Sequence, residues 1–176
     1  MEVFLKPLTK KDAEALYVFE LENREFFEQM VPSRGDEYYE TDLFNKKYEN
    51  LLEEQCRREG FFYLIKDKQG SIMGRMNVTL DQSKGGGEVG YRVGRDFTGK
   101  GVACRALTLL IERMEAGNIT RLEAKTTSNH IASIKILEKN GFTYMGTSDN
   151  TFNMFGQDQR FVYYCWSSQT LKEGGI

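Results

Sequence analysis

The sequence predicts an α/β fold, with a mixed, mostly antiparallel central sheet flanked by helices, in one unit spanning residues 1–176. Residues 61–66 and 71–80 are β-rich runs around an Asp67-Lys-Gln-Gly70 hairpin signal. Apolar residues recur at three- and four-residue steps over 41–58 and 101–116, the spacing of amphipathic helices. Between Glu88 and Ala106 a β-patterned run breaks into glycines and then opens a helix.

In chain order, residues 3–8 form a short strand, and Thr9 followed by Asp12 gives a capping signal for a helix running towards Phe27. Pro32 begins the segment that breaks it. Phe44, Tyr48, Leu51 and Leu52 share one helical face over 41–58, and Gly60 ends that helix. A third strand follows Gly85-Gly-Gly87, so the first part of the sheet is a meander. Ala103, Ala106, Leu107, Leu110, Ile111 and Met114 set the apolar face of helix 101–116, and Gly117 is expected in the left-handed cap position. A strand over 120–126, a helix over 130–140 closed by Gly141, and strands near 142–147 and 160–167 complete the fold, with parallel pairing at its centre.

At 176 residues and 40% hydrophobic composition, the chain can bury a core without metal or disulfide staples. A formal net charge of −2 gives no footprint of a general nucleic-acid surface. Cys56, Cys104 and Cys165 are odd in number and scattered, there is no signal peptide, and no apolar run approaches the ~20 residues that span a bilayer. The expectation is a cytoplasmic protein, monomer or homodimer, with no membrane or direct nucleic-acid partner. His130 is the single histidine, which gives a His-based metal cluster or a Ser-His-Asp triad no support. It reads as a surface residue in the first turn of its helix, and no metal is expected.

The strand ending near Val93, the glycines at 99 and 101, and a helix starting near Gly101 form a place to hold a pyrophosphate. Unpaired N–H groups at the positive end of a helix favour phosphate oxygens. Loops that bind nothing share this pattern. Gly99-Lys100-Gly101 lacks the spacing and terminal Lys-Ser/Thr of a P-loop, and no G-x-G-x-x-G follows an early strand. The ligand is therefore neither a P-loop nucleotide nor a Rossmann dinucleotide. Cys104, one turn into this helix and without a partner His or second Cys, reads as a structural thiol.

A second segment narrows the reading: a strand over 121–126 is followed by Asn129-His-Ile-Ala-Ser133, which opens a helix running to Asn140-Gly141-Phe142. Gly-Lys-Gly-Val-Ala at 99–103, with Asn129, Ser133 and Glu138-Lys-Asn-Gly-Phe142, resembles the GNAT superfamily of acetyl-CoA-dependent N-acyltransferases. Glu22-Asn-Arg-Glu-Phe26 with Pro32, and the spacing of the blocks, resemble its RimJ/RimL branch, which acetylates protein N-terminal amines. The match spans nearly the whole chain.

The resemblance implies the GNAT fold, with acetyl-CoA as cosubstrate. It assigns cofactor binding to Val93, Arg95, Thr98, Gly99, Lys100, Gly101, Val102, Ala103 and Asn129. Amides of 98–103 would grip the pyrophosphate, and the strand ending at Val93 would splay from its neighbour to pair with pantetheine. Thr98 replaces the Gln or Arg that usually opens the signature, which puts one cofactor contact in question. The acceptor implied is a primary amine, in particular the N-terminus of a ribosomal or other protein, contacted by Glu22, Asn23 and Arg24.

Such a transfer needs an amine without its proton, a cradle for the oxyanion and a proton for the leaving thiolate. An α-amino group has a reference pKa of about 7.7–8.0, against about 10.4 for Lys, so an N-terminal amine needs little help. Glu88, on the strand leading to the cofactor loop, is the candidate base; a solvated strand-edge carboxylate is the competing reading. Ser133 is the candidate that meets the sulfur, against a serine that bonds its own helix start. Phe26, Phe27 and Met30 line an acceptor pocket or belong to the core, and Tyr63, Asn77 and Tyr91 stay unassigned because a strand's facing is open. The polar stretch 150–159 reads as a hairpin loop that covers the acceptor site or joins a dimer contact. A small-molecule amine acetyltransferase and a non-catalytic CoA-binding domain are the alternatives.

Overall fold

Alternation along residues 60–93 folds the chain into a meander with both faces covered. The computed structural model describes residues 1–81, 83 and 85–168; the rest of the expected 1–176 unit lies outside the described residues. Its strands are β1 (Phe4–Pro7), β2 (Gly60–Lys66), β3 (Ile72–Asp81), β4 (Gly86–Val93), β5 (Arg121–Thr127), β6 (Thr143–Thr147), β7 (Phe152–Met154), β8 (Gln157–Gln159) and β9 (Phe161–Ser167). Seven form one sheet in the order β1-β2-β3-β4-β5-β9-β6, and β7 and β8 form a separate hairpin. Among the described residues only β4 and β5 pair in parallel; the other ladders are antiparallel.

In β2, Phe62 and Leu64 join one buried cluster while Tyr63 and Ile65 join the other, as period-two geometry requires. The first cluster meets α1 (Ala13–Glu22), α2 (Arg24–Glu28) and α3 (Thr41–Cys56), through residues such as Leu16, Phe27 and Phe44. The opposite face packs on α4 (Val102–Ala116) and α5 (Ile131–Lys139). Leu107 and Leu110 of α4 are fully buried there, each contributing about 1.5–3 kcal/mol by area.

Two local departures from the sequence reading have physical causes. The helix expected to run from the Thr9–Asp12 cap towards Phe27 is divided. Thr9 does cap, its N–H and hydroxyl both donating to Asp12 Oδ2 at 3.0 and 2.6 Å, but α1 ends at Asn23. That side chain bonds back to Phe19 O at 2.9 Å, competing with the helix as Asn does, and α2 restarts beyond it. Gly117 keeps φ −87°, and Asn118 takes the left-handed position at φ 61°, which Asn tolerates. Gly141 does adopt φ 81°, with Phe142 N–H reaching Leu137 O at 3.1 Å and Gly141 N–H reaching Glu138 O at 3.0 Å, a Schellman closure. The polar stretch 150–159, read as a hairpin loop, carries the β7–β8 ladder.

One buried charge cluster ties the two halves of the meander to α1. Glu20 is 0% exposed, and its carboxylate accepts hydrogen bonds from Arg75 Nη1 at 3.0 Å and Arg92 Nη1 at 3.1 Å. Burial pushes this carboxyl up, but Arg75, Arg92 and Arg34 outweigh it and hold it below the ordinary carboxylate value. Glu20→Gln leaves the arginines uncompensated and should cost about 3–5 kcal/mol, read as a lower urea midpoint with an unchanged m-value. An unaltered midpoint would show that the cluster does not hold the fold.

Candidate active site

The centre of the sheet opens where its one parallel pair ends. β3 and β4 stay paired from Gly86 to Val93, whereas β4 and β5 pair only at Gly87↔Leu122 and Glu88↔Glu123. Beyond Glu88 the two strands part. The edge of β4 that faces the gap therefore carries backbone groups with no strand partner, and such groups call for hydrogen bonds from elsewhere.

A cavity of about 350 Å³ lies on one side of this gap, lined by Tyr91 and Val93 of β4, the loop before α4, and the start of α5. Gly101, the residue before α4, has φ 75°, and Gly99 has φ 70°. A side chain at either position would project into open space, so the bare backbone faces that space. No side chain caps the first turn of α4, and its amides remain available to an anion.

A second cavity of about 400 Å³ lies across the gap and shares Val31, Tyr91, Arg92, His130 and Ser133 with the first. At this junction Tyr91 Oη and Ser133 Oγ stand 3.0 Å apart. Ser133 is 6% exposed and makes this bond in place of one to its own helix start. Burial pushes the Tyr91 phenol up to about 12, so it keeps its proton near neutral pH. His130 is corrected from a surface residue: it precedes α5, is half-buried, and lines both cavities, with Thr126 Oγ1 at 3.4 Å from Nδ1. Burial lowers its imidazole below the ordinary value, which favours the neutral ring.

The acetyltransferase (GNAT) domain family matches residues 2–143. The chain belongs to the GNAT acetyltransferases. It is 28% identical over 162 residues to the probable N-acetyltransferase YjcK of Bacillus subtilis, covering 88% of this chain and 87% of that protein. Its fold is similar to the ribosomal-protein-S5-alanine acetyltransferase of Vibrio fischeri, with TM-score 0.85, 20% identity and coverage of 96% and 94%. It is likewise similar to RimL, a ribosomal L7/L12 α-N-protein acetyltransferase solved with coenzyme A, with TM-score 0.84, 20% identity and 94% coverage of each chain.

Within the GNAT frame, the sequence-assigned cofactor residues divide. Val93, Thr98, Gly99, Gly101, Val102 and Ala103 line the first cavity. Arg95, Lys100 and Asn129 do not: Arg95 stacks over Phe26 at 5.4 Å, Lys100 lies over Phe97 at 5.9 Å, and Asn129 Oδ1 accepts from Thr127 Oγ1 at 2.8 Å. Glu22, Asn23 and Arg24 line neither cavity. Glu22 is exposed, while Asn23 Oδ1 accepts the Arg95 N–H at 2.9 Å and so ties α1 to the loop before α4. Arg24 is held by Glu28 at 3.0 Å and by Asp36, and stacks over Tyr39 at 4.4 Å.

Glu88 lines the second cavity, and its side chain is 55% exposed, 3.5 Å from Lys125 Nζ. Sequence reasoning missed Arg92, Arg75 and His130 as wall residues and left Tyr91 unassigned; the alternation of β4 was the available signal for Tyr91 and Arg92. Among the described residues, no helix is long and apolar enough to cross a membrane, and no group of three or more His, Cys, Asp and Glu side chains is gathered to hold a metal ion.

Gly101→Glu places a charged side chain in the open space before α4 and should abolish coenzyme A binding by calorimetry while the far-ultraviolet circular dichroism is retained. Unchanged affinity would remove the pyrophosphate from this loop.

Proposed function

We propose that the protein transfers an acetyl group from acetyl-CoA to the α-amine of a protein or peptide. The observation that carries this reading is the meeting of the two cavities at Tyr91 and Ser133. The first cavity takes the cosubstrate, its pyrophosphate on the amides of α4 and its pantetheine along the open edge of β4. The second takes the amine. It continues through Asn77, Glu88 and Gly90 into a polar cavity of about 630 Å³ on the same sheet face, which favours an extended acceptor over a small amine.

Two hydroxyls at the junction hold two protons and spend one on their mutual bond. The other is available to the departing sulfur. A thiol of ordinary pKa, about 8.5, needs only a hydrogen bond to leave as the thiolate near neutral pH. Ser133 makes that bond, and Tyr91 polarises Ser133. Glu88 takes the amine proton through water from the acceptor side.

The test is calorimetric titration with acetyl-CoA followed by thiol release on adding Ser- and Ala-initiated peptides. Binding with peptide-dependent release supports the reading; release with small amines alone gives the site to a small-molecule acceptor, and binding without any release gives it to a CoA sensor. Ser133→Ala should lower kcat by roughly 10²-fold, on the scale of losing a donor in an oxyanion-type site, with little change in acetyl-CoA affinity. Tyr91→Phe should cost less, since it acts through Ser133. A raised KM at unchanged kcat would reduce Ser133 to a cofactor contact. Glu88→Gln should lower kcat/KM by roughly 10²-fold with acetyl-CoA affinity kept, and an unchanged kcat/KM would exclude it as the base.

A further inference from the structure

Arg75 on β3 and Arg92 on β4 are direct cross-strand partners, an arrangement of like charges that weakens a sheet unless it is neutralised. Glu20 supplies one negative charge between them. Arg34 Nη1 stands 4.0 Å from the same carboxylate and stacks over Tyr38 at 4.6 Å. All three arginines line the acceptor cavity. Lys125 and Glu88, which also line it, pair with each other. Three arginines against one carboxylate leave two positive charges in surplus on this side of the site. Burial and the neighbouring Arg34 both draw the Arg92 guanidinium below its ordinary range, the effect of cations held together short of counter-charge.

Bonding capacity points the same way. A guanidinium has five N–H donors, and Arg92 gives one hydrogen bond, to Glu20. Among the described residues, no buried side-chain nitrogen or oxygen lacks a hydrogen-bond partner. The Arg92 Nε and Nη2 groups, which have none, therefore open into the cavities that Arg92 lines. Arg34 is the most accessible of the trio, its side chain 33% exposed against 11% for Arg75 and 14% for Arg92.

We propose that Arg34, Arg75 and Arg92 recognise a carboxylate on the acceptor, carried by an acidic side chain within the first three residues of the peptide. The inference rests on the N-terminal-amine reading above. A planar carboxylate fits guanidinium forks. The surplus charge repels an ammonium group, so it favours the neutral amine that attack requires and disfavours polycationic acceptors.

The test is a peptide panel on the wild-type protein, with Glu or Gln at positions one, two and three of an otherwise constant Ala/Ser sequence, read by thiol release with acetyl-CoA. At one of these positions Glu should raise kcat/KM over Gln by roughly tenfold or more, the scale of a charge-assisted hydrogen bond, and high salt should shrink the ratio. Arg34→Gln should cut the ratio severalfold, and Arg34→Lys should restore part of it. An unaltered ratio in Arg34→Gln overturns the assignment to this trio. Equal kcat/KM for Glu and Gln at all three positions overturns the carboxylate and leaves the N-terminal reading standing. Acetyl-CoA binding with no release from any peptide overturns both.

Discussion

The parting of β4 from β5 after Glu88 and Glu123 is the constraint on which the rest of the site depends. A sheet interior is normally closed by its own ladder, and a strand that loses its partner exposes donors and acceptors that must be satisfied. Here the loss falls in the middle of the sheet, between strands anchored on their other sides by β3 and β9. The gap is thus held open by well-paired neighbours and does not rely on a flexible edge. Arg75 and Arg92, which line it, stand on the paired strands β3 and β4 themselves.

Charge is the second constraint. Arg75 and Arg92 face each other directly, and it is a helix from the other end of the chain that brings Glu20 between them. The desolvation of such a cluster is offset only where geometry and hydrogen bonding are good, and the 3.0 and 3.1 Å contacts meet that condition. The same contacts settle α1 against β3 and β4. Asn23, at the end of α1, then bonds the loop that precedes α4. One helix therefore organises the arginines of the second cavity through Glu20 and the loop before α4 through Asn23.

What the sequence made legible follows from the range of the interactions concerned. The glycine-rich start of α4, the Gly141 closure of α5 and the strand–hairpin–strand run at 61–80 are set by neighbours a few residues apart, and all stand as read. The α1–α2 break at Asn23 and the left-handed Asn118 turn on local competition between near-equal choices, and there the reading slipped. The Tyr91–Ser133 pair spans 42 residues and the Arg92–Glu20 pair 72, so no local pattern announces either. His130 illustrates the same limit: a place in the first turn of its helix suggested solvent, and only the folded chain brings it to the wall of both cavities.

The separation of the two sides of the site comes from the simplest property of a strand. Val89, Tyr91 and Val93 of β4 pack with the cluster beneath α4 and α5, while the intervening Arg92 turns to Glu20 of α1. Period-two alternation thus turns Val89, Tyr91 and Val93 towards α4 and α5 and Arg92 towards α1. A one-residue slip of β4 would exchange the two chemistries at a stroke. The long β3–β4 ladder, eight residue pairs from Gly86 to Val93, guards against that slip, and it does so where β5 gives no help because the strands have already parted.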